Sequence, residues 1–581
     1  MTPLPAEELM NLVRQLDAAT GTAAQLAALS SLKMQCKRAG DVAALIAAGA
    51  IPTLVRLLGP EASLSAVQSA AASALLTLGV SAGSDPEDDP VAAAIVAAGA
   101  IPALVQLLGS PDPEAPASAA GALGFLALTP ENAATITAAG AIPLLVRLLA
   151  AGSSAEAKHN AARTLVGLCL HSSNIVDITA AGAIPALVQL IGTVSTAIGA
   201  LSTLCLDANN QVAIAAAGAV PRLVHLLGPG ASTQAQECAA AILRSLAAHA
   251  EIAVTFAAAG AISPLVRLLG PGSSDGVKVS AAEALMSLMG ADPETAATIA
   301  AAGAIPSLVQ LLVPGTSDEV QRIGADALAS LAAENAEVAG SIAAAGAVPL
   351  LVQLLGRGSS EEVQECAAEA LSYLSEVPEI TVTIAGAGAT PLLVELLGPD
   401  ASAEVQEYAA ATLRSLAQNA EIAATIFAAG AIPPLVQLLG HESPAEVQEY
   451  AADALCSLAE VAEIATAIAA TGAIPPLVQL LGTGSSEEVQ QCAAAALSHL
   501  AVNAEIAATI ATAGAIPVLV QLLGPGSSAE VQECAAGALQ ALGGRNTEIR
   551  AAIAAAAASA GRLQEMQEFG IGDEEEDEDE G

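Results

Sequence analysis

The chain has 581 residues and carries 18 lysines and arginines against 59 aspartates and glutamates, a formal charge of −41. Such a balance argues against a nucleic-acid binder, because phosphate backbones are repelled where no basic patch exists, and no helical stretch here carries a basic stripe. Only 1% of the residues are aromatic and tryptophan is absent, so the core must be built of Leu, Ile, Val and Ala in small, closely spaced helices, not as one large globular interior.

No basic stretch followed by an apolar run opens the chain, and the second residue is Thr2 and not glycine; neither secretion nor N-myristoylation is expected. Residues 7–36 read as a degenerate unit, because Leu12-Val13-Arg14 stands 42 positions before Leu54-Val55-Arg56. From there one phrase returns about every 42 residues: Ala-Gly-Ala-Ile-Pro, then Leu-Val, a polar residue and Leu-Leu, beginning at Gly49 and ending at Gly514. A fixed period of this size signals a solenoid. Two units depart from it. An insertion over Val80–Pro90, containing Ser84-Asp85-Pro86-Glu87-Asp88-Asp89, is expected to be an exposed loop. The unit between Gly182 and Gly218 is six residues short, so that Gly192-Thr193 runs almost directly into the next helix and the stack is expected to tighten or rotate locally.

The residues around 401–440 show the content of a regular unit. Val405, Tyr408, Ala409, Thr412, Leu413 and Leu416 fall on one stripe of a helix, while Glu404, Glu407, Arg414 and Gln418 fall outside it. A short helix is expected after Asn419, whose side chain caps it, with Glu421 near its positive end. Gly430 breaks that helix, and a second begins near Pro433, where a missing N–H costs nothing. The third follows a Ser-x-x-Glu capping box, read at Ser153/Glu156, Ser359/Glu362, Ser443/Glu446, Ser485/Glu488 and Ser527/Glu530. The expected order is short, long, long. Near the C-terminus, Asn546–Phe569 lacks both the glycine and the proline, so its first two helices are expected to fuse. The apolar run Ala551–Ala560 is too short to span a bilayer, and the eight carboxylates of Asp573–Glu580 are expected to be disordered.

This helix order, this unit length and the glycine between the first two helices resemble the armadillo repeat over nearly the whole chain. The resemblance implies an all-α, right-handed α-solenoid superhelix of about 12–13 repeats with atypical capping units. The expected organisation is an N-terminal degenerate repeat at 1–46, the armadillo array at 47–543, a C-terminal capping helix at 544–569 and an acidic tail at 570–581. The repeat phrase is closest to those of vacuole-anchored armadillo proteins and of the arrays in plant U-box ubiquitin ligases. The lipid anchor of the former needs a glycine where Thr2 stands, and no non-repetitive segment is long enough for a U-box.

No catalytic residue, cofactor or metal is expected. His159, His171, His225, His249, His441 and His499 fall in scattered repeats without a metal-type pairing. The Gly-Pro-Gly-Ser-Ser turns lack the preceding strand and the Gly-Lys-Ser/Thr ending of a phosphate loop. Cys238, Cys366, Cys492 and Cys534 share one position at the start of the third helix and read as buried, reduced, structural thiols, since stacked helices about 8–10 Å apart hold equivalent cysteines beyond bridging distance.

The resemblance further implies that the third helices line a concave groove. The side of those helices away from the apolar stripe offers positions four apart: Glu365, Glu369 and Tyr373; Glu407, Ala411 and Ser415; Glu449, Asp453 and Ser457. Upstream, Glu237, Glu283 and Asp326 continue the acidic character, interrupted by Arg322. Two readings stand: a solvated helix face, or a ladder whose charges sum into a field along the groove and select extended basic or polar segments of protein partners. Importin-α proteins read basic signals through Trp and Asn four residues apart on this helix; the matching pairs here include Glu283/Ser287, Asp326/Ser330 and Asp453/Ser457. Nor is this groove lined with Lys and Arg, as that of the catenins is. The expected function is a non-enzymatic protein-interaction scaffold in the cytoplasm, the nucleus being a further compartment open to it, with no nucleic acid bound and no membrane inserted. The alternative is a substrate-recognition or adaptor subunit of a ubiquitin-ligase or transport complex with catalysis on another chain.

Overall fold

In a computed structural model the described residues are 6–37, 39–59, 64–82, 90–291, 294–544 and 546–571. Among them helices are frequent and no β-strand occurs. The insertion at 83–89 and the acidic run at 573–580 lie outside the described residues. The chain divides into two compact units, residues 1–268 with 272–292 and residues 269–271 with 293–581.

A repeat of the second unit shows how the sequence builds the fold. The Asn419 side chain accepts hydrogen bonds from the Glu421 and Ile422 amides and starts the helix Ala420–Ala428. Gly430 then takes φ +82°, a left-handed conformation that side chains resist, and turns the chain by 87° into the helix Ile432–Leu438. The long helix Ala445–Ala459 follows. These helices contain 9, 7 and 15 residues, so the order is short, short, long. The second helix is shorter than its Leu-Val-x-Leu-Leu phrase suggests because Gly440 leaves the helix at once, its amide bonding back to the Gln437 carbonyl at 3.1 Å.

The capping also differs from the expected register. The N-cap is the second serine of each pair and not the first: Ser154, Ser486 and Ser528 accept from the Ala157, Val489 and Val531 amides. The first serine is needed in the turn before it. Its own amide closes that turn, as Ser485 does on the Gly482 carbonyl at 3.1 Å and Ser527 on Gly524 at 3.2 Å. The glutamates therefore sit at the second helical position, where they act on the positive helix end and not as reciprocal caps. In Ala445–Ala459 the N-cap is Pro444, with no side-chain bond.

A glutamine ties the second helix to the third. Gln406, Gln448, Gln490 and Gln532 each donate from Nε2 to the carbonyl of the glycine that ends the preceding helix, at 2.7–2.8 Å. Gln68 and Gln236 do the same in the first unit at 3.0 Å. The carbonyl is one of the orphan acceptors of a helix end, which the side chain satisfies where water is thinned out.

Within each unit the long helices stack on one another in order. Paired alanines on these helices, Ala367-Ala368, Ala409-Ala410, Ala451-Ala452 and Ala493-Ala494, are all fully buried. In the shortened unit the third helix, Ser195–Leu204, has only 10 residues and follows the left-handed Gly192 directly. At the C-terminal end a single 14-residue helix, Thr547–Ala560, replaces the usual two; the left-handed Gly561 then precedes a short helix, Leu563–Glu568. All eight cysteines are free thiols. Cys238, Cys366, Cys492 and Cys534 are half-buried and not fully enclosed, because their position faces the edge of the stack. Burial still pushes the Cys366 thiol up to about 12, helped by the Asp326 carboxylate.

Replacing Gln448 by alanine should lower local stability by about 1 kcal/mol through the unsatisfied Gly440 carbonyl, whereas Ala452→Leu should cost about 1–3 kcal/mol by forcing the stack apart. Native-state hydrogen exchange over Ala445–Ala459 measures both; unchanged protection in Gln448→Ala would remove the clamp from the account.

Candidate partner-binding face

The long helices of the second unit carry the acidic positions read from the sequence. Asp326 lies on Asp318–Glu334, Glu365, Glu369 and Tyr373 on Glu361–Ser375, Glu407 on Ala403–Ala417, and Glu449 and Asp453 on Ala445–Ala459. Each of these helices packs on the next. The carboxylates are half-buried, and they stand close enough to perturb one another. Glu369 is held above the usual glutamate range by burial first, then by Asp326 and Glu365. Glu365 is raised by burial and by Glu404 across the stack. Glu407 and Glu449 are raised by burial and by the charges of Glu446 and Glu488 on the respective following helices.

Ala411, Ser415 and Ser457, expected on the same open face, are buried. A long helix in the middle of a stack is covered along both flanks by its neighbours, so its exposed strip is narrower than an isolated helix would show. Ser415 Oγ donates to the Ala411 carbonyl at 3.4 Å within its own helix.

Tyr408 and Tyr450 belong to this face, although helical spacing assigns Tyr408 to the apolar stripe. Both are half-buried. The Tyr408 hydroxyl faces the Glu369 carboxylate of the preceding helix and offsets part of its upward shift, and its phenol is driven upward by burial and by Glu369 and Glu407. Helical spacing gives no signal of this, since the same position holds Cys366 and Cys492 in other repeats and cysteine reads as a core residue.

Three arginines answer part of the charge. Arg322 lies 3.6 Å from Asp326, Arg414 lies 3.4 Å from Asp453, and in the first unit Arg244 lies 3.0 Å from Glu283. Among the described residues Glu365, Glu369, Glu407 and Glu449 form no ion pair. Glu365, Glu369, Tyr373, Glu407 and Tyr408 thus form an uncompensated cluster between Arg322 and Arg414, each acting on others of the set.

The first unit does not repeat this arrangement. Glu237 is exposed, with its carboxylate against the Gly276 backbone, and Glu283 is paired with Arg244. On Ala155–Cys169 the equivalent positions are His159 and Arg163, whose Nη2 donates to the Gly121 carbonyl at 2.9 Å. Among the described residues no group of three or more His, Cys, Asp or Glu side chains could hold a metal ion, and no single helix is long and apolar enough to cross a membrane.

Comparison with known proteins agrees with this architecture. The family model described as Armadillo/beta-catenin-like repeat matches residues 88–127, 129–170, 335–376, 378–418, 419–460 and 463–502. Among solved structures, an engineered protein is 33% identical, with 70% of this chain and 98% of that chain covered and a TM-score of 0.62. A chain from a structure titled for a phosphorylation switch controlling the interaction between cadherin and beta-catenin is 18% identical, with 84% and 98% covered and a TM-score of 0.69. At that identity the likeness concerns the fold. Comparison with curated proteins gives no match. These matched repeats, stacked as described, make the fold an all-α solenoid. Over the matched residues the chain carries armadillo/beta-catenin-like repeats.

The raised carboxyls set a pH dependence. A carboxyl whose folded pKa exceeds its unfolded value binds its proton more tightly in the folded state, so its contribution is most favourable at low pH and is lost as pH rises from the ordinary glutamate value of 4.5 through the raised one. Glu369→Gln should therefore raise the melting temperature at about pH 7, and the difference from the parent should shrink toward about pH 4. Scanning calorimetry of both chains at the two pH values tests this; an equal difference at both would mean that packing and not charge is responsible.

Proposed function

We propose that the chain is a non-enzymatic scaffold and that the third-helix face of its second unit holds an extended, basic segment of a protein partner. The observation that carries this reading is the cluster of Glu365, Glu369, Tyr373, Glu407 and Tyr408, in which half-buried carboxylates raise one another without an ion-paired cation. Burying like charges side by side costs free energy in the free protein, and an incoming lysine or arginine relieves that cost. The phenol rings offer faces for the cation, worth about 0.5–2 kcal/mol each depending on desolvation. Stacked equivalent positions present these groups in a row, which suits an extended chain with side chains at regular intervals. Polar partner segments would use the same row through the tyrosine hydroxyls.

The reading places the protein in the cytoplasm and is compatible with nuclear partners. Within a ubiquitin-ligase or transport complex the same face would be the substrate-recognition surface, with chemistry supplied by another chain; the repeat phrase shared with U-box-associated arrays favours that setting.

A fluorescent peptide of alternating arginine and serine serves as the probe. The triple substitution Glu365→Gln, Glu369→Gln and Glu407→Gln should weaken its binding by about tenfold or more, with helicity by circular dichroism unchanged, and the parent's affinity should fall as salt is raised. Equal affinity for parent and triple variant would move the partner surface off this face.

A further inference from the structure

Besides Arg322, the second unit holds a guanidinium of its own on this face that meets an aromatic ring. Arg414 projects from Ala403–Ala417 toward Ala445–Ala459, where its guanidinium carbon lies 5.9 Å from the Tyr450 ring centre. Its Nη1 stands 3.4 Å from Asp453 Oδ2 and its Nη2 3.3 Å from Ser415 Oγ. An aromatic face, a carboxylate and a hydroxyl are the groups that recognise an arginine side chain.

The fit is loose. Charge-assisted bonds between a guanidinium and a carboxylate are ordinarily about 2.7–2.9 Å and often bidentate, whereas here one nitrogen makes one long contact. The Arg414 Nε is buried and has no acceptor among the described residues. A buried donor left unmade is a standing cost. Arg244 in the first unit shows what closer seating looks like: it lies 39 residues before its acid, the same separation as Arg414 from Asp453, and reaches Glu283 at 3.0 Å. Position and separation are thus repeated while the quality of the contact differs. Glu407 and Glu449 flank Tyr450 and continue the acidic row past the seat.

We propose that Arg414 is a resident, displaceable occupant of an arginine seat formed by Tyr450, Asp453 and Ser415, and that an arginine of a partner competes with it for that place. The inference rests on the basic-segment reading above and adds a regulated position to it: the seat is closed in the free chain and opens when Arg414 swings outward. Arginine is favoured over lysine there because a planar guanidinium both stacks on the ring and bridges carboxylate and hydroxyl, which a point charge does not.

The chain has only three tyrosines, so fluorotyrosine labelling resolves Tyr450 by fluorine NMR. The probe is N-acetyl-arginine amide, titrated into the parent, Arg414→Gln, Arg414→Gln with Asp453→Asn, and Arg357→Gln. The last removes the same charge from an exposed arginine paired with Glu395 elsewhere. Arg414→Gln should shift the Tyr450 signal at a probe concentration about tenfold lower than the parent requires, the added Asp453→Asn should abolish the gain, and an unchanged Tyr373 signal should report an intact stack. N-acetyl-lysine amide should show a smaller gain. Equal responses of Arg414→Gln and Arg357→Gln would overturn the proposal, since net charge alone would then explain them; so would a Tyr450 signal that fails to respond in Arg414→Gln. Because the probe is a single residue, this result is independent of whether the extended peptide binds, and failure of the peptide experiment alone would count against the wider reading only.

Discussion

The close approach of successive long helices is the constraint from which the other features follow. Small residues occupy the buried side of most of these helices, as adjacent alanines at Ala409-Ala410, Ala451-Ala452 and Ala493-Ala494 and as Gly324-Ala325 in Asp318–Glu334. At the alanine pairs a longer side chain would require movement in a core already near crystalline density. The short helices then have a fixed rod to lean on. Their turns can be made by a left-handed glycine and a capping asparagine, because the tertiary contact and not helix propensity supplies most of the stability of such short segments.

The same repetition that stacks alanines also stacks whatever occupies the positions beside them. Two like charges about 4 Å apart at the effective permittivity of a protein surface repel by about 4 kcal/mol before screening, and the half-buried row of Glu365, Glu369, Glu407 and Glu449 is screened less than a surface charge would be. The chain answers in two ways. Arg322, Arg414 and Arg244 neutralise individual acids, and the remaining carboxyls take up protons more readily than glutamate ordinarily does. The second response leaves unspent attraction for a cation, which is why electrostatic discomfort in the free chain and capacity for a basic partner are two descriptions of one arrangement.

The period, the left-handed glycines, the Asn419 cap and the apolar stripe through Val405, Ala409, Leu413 and Leu416 are legible in the sequence because each is a local rule with one physical solution. Three features are not. The serine cap is displaced by one residue because the turn before the helix consumes the first serine's amide, a competition that a capping motif alone does not contain. Ala411 and Ser415 are covered by neighbouring repeats, and helical spacing describes one helix and not its flanks. The glutamine that holds the glycine carbonyl is invisible as a motif, since Val-Gln reads as one buried and one solvated residue until the preceding helix end is placed beside it. For the candidate site, the acidic positions and Tyr373 could be read directly, while Tyr408, Tyr450 and Arg414 could not, because their role depends on the residue across the stack.

A distinction follows between what the array repeats and what it varies. The turn glycine recurs throughout the array, and the paired alanines and glutamine clamp recur in most of its repeats, from Glu361 to Gly543 without exception. At the position of Tyr408 and Tyr450 the chain places cysteine in Cys366 and Cys492, and at the position of Arg414 it places Ser372 one repeat earlier and Cys456 one repeat later. Apart from the buried Cys456, these side chains are half-buried and not enclosed in the core, so the sequence is free to differ there without loss of fold. In a solenoid whose units are otherwise nearly interchangeable, register along an extended partner can be fixed only by such differences. Arg414, which neither adjacent repeat matches with a basic residue, supplies a landmark of that kind.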